Sequence, residues 1–215
     1  MIFYFTLLAK HITIMKYLLH TTLFLLMALS AFTASARKAK LLEGSPESLK
    51  GIKKLNIRFV YDGMTIGKKQ IPEADYIVQR TKEKNDKEAG TGDVWAKAWI
   101  NDRTRRFEPA LKSYFNKEAS GVRLGDFPEE KYTLIFKTTN TEPGFNVGVS
   151  SKPARVSGEA WIVETANPEH VICKLAVEDC PGAMSGFDFD NGERIRMSYA
   201  VAGQMLGAYF KRILK

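Results

Sequence analysis

The apolar stripe near the end of the chain constrains the fold more than any other feature. Ile195, Tyr199, Ala202, Leu206, Tyr209 and Ile213 recur at helical spacing, so this stretch reads as one amphipathic helix with a single face to bury. Asp190 and Glu193 have capping-box-like spacing at its start, and Lys211, Arg212 and Lys215 meet the negative end of its dipole. Ala200, Gly203 and Gly207 run beside the stripe. In lipid, the Gly203-x-x-x-Gly207 spacing would be a dimerisation face. Its neighbours are too polar for that, and the small residues read as close packing of the helix on its own sheet.

A helix with one greasy face needs a sheet, and four runs supply one. IKKLNIRFVY (52–61) alternates Leu55, Ile57, Phe59 and Tyr61 against Lys54, Asn56 and Arg58. KYTLIFKTTN (131–140) places Tyr132, Leu134 and Phe136 on one face. ARVSGEAWIVET (154–165) and HVICKLAVE (170–178) flank Ala166-Asn167-Pro168-Glu169, a hairpin turn. Pro72 opens a short helix in which Tyr76, Ile77 and Arg80 share a face. Asp93 reads as the N-cap of a longer helix closed by Ser120-Gly121. Pro109 interrupts that helix, which predicts a kink near Phe107–Pro109. PGFNVGVSSKP (143–153) and Gly182–Gly186 read as loops. The expected class is α+β: a small, mainly antiparallel sheet in the order β-α-α-β-β-β-α, packed against a kinked central helix and a C-terminal helix.

The other end of the chain carries an address. Met15 and Lys16 form a basic start, an apolar run extends to Phe32, and Ala34-Ser35-Ala36 is a small-x-small cleavage site. Residues 1–36 therefore read as a signal peptide with Met15 as its start, and the mature chain begins at Arg37. The apolar run falls short of the roughly 20 residues of a membrane span, so no transmembrane anchor is expected after cleavage. The expected location is the periplasm or the outside of the cell. Residues 37–50 read as a flexible lead-in and 51–215 as a single domain.

Charge and cysteines narrow the function. The net charge of +8 includes Lys10 and Lys16 of the leader, leaving +6 after cleavage. Export makes nucleic acid an unsuitable partner and leaves anionic glycans, lipid headgroups or acidic proteins. The densest basic cluster, DRTRRFEP (102–109), offers Arg103, Arg105 and Arg106 as an anion-binding surface, unless Asp102 and Glu108 neutralise them. A strand running from Cys173 to Val177 carries the chain roughly 13 Å, whereas a disulfide needs Cα atoms within about 7 Å. A Cys173–Cys180 bridge and a buried Cys173 with a separate Cys180 thiol therefore both stay open.

Catalytic signals are sparse. Beyond the leader the one histidine is His170, and its i, i+3 relation to Cys173 puts the two on opposite faces of a regular strand. FDFDNGE (187–193) gathers Asp188, Asp190 and Glu193, but helix capping accounts for the last two without calcium. No motif calls for a cofactor, a metal or a catalytic residue.

GEAWIVETANPEHVICKLAVE followed by a Gly-containing link and a long Ala/Gly-bearing helix resembles small exported envelope proteins of unknown function from Gram-negative bacteria. The leader is similar to those of the Bacteroides group. The layout over residues 52–215 resembles auxiliary lipoproteins of envelope transport and assembly systems, although Arg37 stands where those carry a lipidated Cys. The resemblance implies a non-catalytic protein that assists such a system through contacts with envelope proteins. A glycan- or lipid-headgroup-binding module is the alternative.

Overall fold

The computed structural model describes residues 38–182 and 190–214, all within one compact unit, Arg37–Lys215. The signal segment with Ala34 and Ala36, and Asp188, lie outside the described residues. The chain runs through β1 (Lys40–Gly44), a 3-10 turn (Pro46–Leu49), β2 (Lys54–Val60) and the small hairpin β3 (Thr65–Ile66) and β4 (Ile71–Pro72). Helices α1 (Glu73–Asn85) and α2 (Thr91–Asp102) follow, then a π-helical turn (Arg103–Phe107) and α3 (Glu108–Glu118). The rest comprises β5 (Arg123–Gly125), β6 (Tyr132–Glu142), β7 (Phe145–Asn146), β8 (Ser151–Lys152), β9 (Arg155–Glu164), β10 (Asn167–Pro181) and α4 (Asn191–Ile213).

The principal sheet has the order β1-β10-β9-β6-β2-β5, and the fold is α+β with a mainly antiparallel sheet. The β9–β10 hairpin forms as its alternation predicts, with Leu175 opposite Ala160. The exceptions to antiparallel order lie at the other side, where β2 runs parallel to both β6 and β5 and the short β3 runs parallel to β6. Parallel neighbours need a crossover, and α1, α2 and α3 provide it between β2 and β6.

Alternation decides which face is covered. Leu55, Leu134, Phe136, Ile162, Cys173 and Leu175 are buried in one core with Ile195, Tyr199, Leu206 and Phe210 of α4. Tyr199 stacks on Phe107 with ring centroids 5.1 Å apart, and Phe115 meets Phe210 edge-on at 5.4 Å. Each such fully buried aromatic contributes about 1.5–3 kcal/mol relative to exposure. On the opposite face Trp161 lies between Lys137 and Lys174, whose ammonium groups sit 5.8 and 4.8 Å from its ring.

Four expectations need correction. Part of the lead-in is ordered strand: β1 pairs with β10, and Ala39 and Leu49 enter the core. Its partner lies more than a hundred residues away, so no local period marks it. The second helix starts at Thr91 rather than after Asp93, because the Asn85 side chain accepts the Gly92 N–H at 2.8 Å and supplies the cap from α1. The loop at 143–153 contains a hairpin, β7–β8. Finally, Gly203 and Gly207 face α3 rather than the sheet.

That last contact is tight. A Cβ on Gly203 would lie 2.3 Å from the Leu111 carbonyl oxygen, and one on Gly207 would lie 2.7 Å from that of Phe115. Both clashes are with backbone, which cannot rotate away. Gly203→Ala should therefore force α3 and α4 apart and destabilise the protein by about 1–3 kcal/mol. Urea unfolding followed by circular dichroism measures this; an unchanged midpoint would mean the helices are not held at this distance.

Candidate functional site

The predicted kink is where the basic cluster is taken apart. Pro109 lacks an N–H, and the helix accommodates it with a π-turn in which the Glu108 N–H reaches back to the Arg103 carbonyl. The wider turn sends the three arginines to different places. Arg103 pairs with Glu73 of α1 at 2.5 Å, and its guanidinium lies 4.2 Å from the centroid of the Tyr61 ring. Glu73 also accepts the Trp99 indole N–H at 2.7 Å, and both members of the ion pair are largely buried. Arg106 turns to Asp102 at 3.1 Å and to Asp190 at 2.5 Å. Arg105 alone of the three stays fully on the surface. The structure thus does not bring Arg103, Arg105 and Arg106 together as one anion-binding face.

Of the two neutralising carboxylates, Asp102 acts as expected and Glu108 does not. Glu108 instead accepts the Tyr61 hydroxyl at 3.3 Å. Burial pushes the Tyr61 phenol far above its ordinary range, with Tyr199 and Glu108 adding to the effect, so it stays protonated as a donor.

Asp102 and Asp190 flank the start of α4. Asp190 is its N-cap, accepting the Gly192 N–H at 2.8 Å, while Glu193 pairs with Arg196 instead of closing a capping box. A Cβ on Gly192 would lie 2.1 Å from an Asp102 oxygen, so only glycine lets that carboxylate approach the helix end. Burial is the largest influence on Asp102 and raises its pKa, with Asp190 adding to it against Arg106. Burial also opposes ionisation of Asp190, but the Arg106 guanidinium and the helix N–H groups outweigh it and hold its pKa low. Because Arg106 bridges both carboxylates, they form an ion triad tying the π-turn to α4.

Around this triad two hollows open. One, of about 320 Å³, is lined by Trp95, Trp99, Lys84, Asp102 and the Asp190–Gly192 turn. The other, of about 510 Å³, is lined by Ile66, Lys68, Lys69, Tyr76, Phe145 and Lys152. Arg80 and Asn191 border both, so the hollows adjoin along α1. Tyr76, Trp95 and Trp99 form an aromatic cluster beside them, with centroids 5.4–5.9 Å apart. The larger hollow gathers at the carboxyl end of β6, between the β3–β4 hairpin and the β7–β8 hairpin. Sequence reading missed this groove. Its one local signal was the Tyr76–Arg80 helical face, which reads equally well as packing.

The remaining candidates are dispersed. His170 lies exposed near the hairpin end, its Nδ1 3.2 Å from Glu164, whereas Cys173 is fully buried, so they form no dyad. β10 continues past Val177 through a bulge to Cys180, placing the two cysteines roughly 20 Å apart at ~3.3 Å per paired residue of β9. Both are buried thiols, and burial lifts that of Cys173 to about 11. Among the described residues no three His, Cys, Asp or Glu side chains are grouped to hold a metal, and no helix is long and apolar enough to cross a membrane. Comparison with family models, curated proteins and solved structures finds no match to this chain.

Two outcomes are expected. Asp190→Asn keeps a capping side chain but removes the charge, so it isolates the Arg106 pairing. A depressed carboxylate pKa contributes stability above the unfolded value of about 3.9 that is lost as pH falls through the folded value. The melting-temperature gap between wild type and Asp190→Asn should be widest near neutral pH and close below the ordinary carboxylate range; a pH-independent gap would refute the charge argument. Separately, a chromogenic disulfide reagent at neutral pH should find Cys173 and Cys180 unreactive in the native protein and both reactive in denaturant. Rapid native labelling would contradict their burial.

Proposed function

We propose that this chain is an exported, non-catalytic protein of the cell envelope that serves an assembly or transport system by holding an extended segment of a partner protein. The observation that carries this reading is the groove along α1, where two adjoining hollows share Arg80 and Asn191. An extended peptide presents side chains at alternating positions, and a groove with two successive hollows suits that spacing. Tyr76 and Trp95 offer it aromatic surface, and Lys84, Arg80 and Glu83 offer it polar partners. The basic-face alternative draws less support, because Arg103 and Arg106 are occupied by carboxylates of the chain itself.

The test combines location and capture. A photo-cross-linking residue at Gln79, an exposed position bordering the larger hollow, is expressed in the native host alongside a control at Glu169. The expected result is a discrete adduct from Gln79 alone, with a component of an envelope assembly or transport system, in a chain whose amino terminus is Arg37. Retention of the first 36 residues in a cytosolic fraction would overturn the export reading. Absence of any Gln79-specific adduct would overturn the groove.

A further inference from the structure

The β7–β8 hairpin differs from the rest of the surface. From Pro143 through Ser151 it contains no charged residue, in a chain of which 26% is charged. It presents Phe145, Val147 and Val149 at 43%, 64% and 99% exposure. Single exposed apolar residues are ordinary, but three at alternate positions on one short protrusion form a patch that calls for a partner.

Three backbone N–H groups of the tip are paired from within. The Val147 N–H donates to the Ser150 carbonyl, the Gly148 N–H to Asn146 Oδ1 and the Val149 N–H to the Val147 carbonyl, each at 3.0 Å. These three successive N–H groups need no water as donors, which lowers the cost of bringing the tip into the interfacial layer. At the root, Gly144 adopts φ +64°, and a Cβ there would lie 2.3 Å from the Lys152 carbonyl oxygen. The Lys152 ammonium is anchored by Glu142 at 2.5 Å. The finger is thus a preformed element.

Charge around its base indicates the partner. Lys68 and Lys69, exposed in the turn between β3 and β4, line the same hollow as Phe145 and Lys152. An uncharged apolar tip with ammonium groups at its base reproduces the order of a bilayer surface, where acyl chains lie below a layer of phosphates. We infer that this finger inserts into the interfacial layer of an anionic membrane, with Val147 and Val149 deepest and Lys68 and Lys69 against the headgroup phosphates. The tip is separate from the triad at α4, but its base shares Lys68, Lys69, Phe145 and Lys152 with the larger hollow, so insertion leaves that hollow beside the membrane surface.

An environment-sensitive fluorophore on Val149→Cys in the full chain tests this, since Cys173 and Cys180 are buried. The control label is Glu169→Cys, near the hairpin turn at the opposite end of β9. With vesicles of equal parts phosphatidylglycerol and phosphatidylcholine, the label at 149 should shift to the blue while that at 169 does not. Because the label reports only its own surroundings, attachment through any other part of the chain leaves it in water. Neutralising Lys68→Gln and Lys69→Gln should weaken vesicle partitioning by about fivefold per lysine. Adding Val147→Asp at an exposed position should leave the melting temperature unchanged and abolish the shift. A label at 149 that stays in water at saturating vesicle, or equal shifts at 149 and 169, would overturn insertion. So would a shift caused by a captured partner protein but not by vesicles, which would make the finger a protein-docking element.

Discussion

The arrangement of the helices rests on how the π-turn at Arg103–Phe107 distributes its arginines. Arg103 reaches back to Glu73 and covers Tyr61, fixing α1 and the end of β2 to the central helix. One turn on, Arg106 pairs back with Asp102 and reaches forward to Asp190, fixing the start of α4. Removing one partner of the largely buried Glu73–Arg103 pair would leave a desolvated charge without its counter-ion, a loss well beyond that of a surface bridge. The more exposed Arg106 pairs are weaker individually, but the helix end at Gly192 adds its N–H groups to the same site. Three elements distant in sequence thus meet around one bend.

The second constraint is the closeness of α3 and α4. Backbone approach at Gly203 and Gly207 leaves no room for side chains between the helices, so their aromatic residues, Phe107, Phe115, Tyr199 and Phe210, fill the space toward the sheet. Tyr199 shows how a polar atom is accommodated there. Its hydroxyl lies 2.7 Å from that of Thr138, within hydrogen-bonding distance, so the ring can be fully buried without leaving its oxygen unsatisfied. Among the described residues no helix covers the opposite sheet face, where Lys137, Glu159 and Lys174 surround Trp161.

The features with binding character fall at one end of the molecule. β6 ends there and β9 begins there, which places the groove along α1 beside the β7–β8 finger. Phe145 and Lys152 belong to both, so a ligand in the larger hollow would lie against the root of the finger. A membrane-facing tip and a neighbouring cleft would place a captured segment close to the bilayer surface. The rigid sheet underneath supplies a platform for short loops whose chemistry differs from their surroundings.

Much of this was legible residue by residue. The alternation in Leu55–Tyr61, Tyr132–Phe136 and Cys173–Val177, the stripe from Ile195 to Ile213, the Asp190 cap and the bend before Pro109 are local patterns. They depend on the period of the backbone and on the chemistry of one or two neighbours, and both are written in order along the chain. What tertiary structure decided was everything that depends on a distant partner. Lys40–Gly44 became a strand because β10 offers it an edge, and β2 runs parallel to β6 because three helices intervene. Gly203 met a helix rather than the sheet. Arg103 and Arg106, neighbours in sequence and similar in chemistry, ended in separate ion pairs because a π-turn rotated them toward carboxylates 30 and 84 positions away. Local periodicity determines which face of an element is apolar; which other element covers that face is set by packing among segments far apart in the chain.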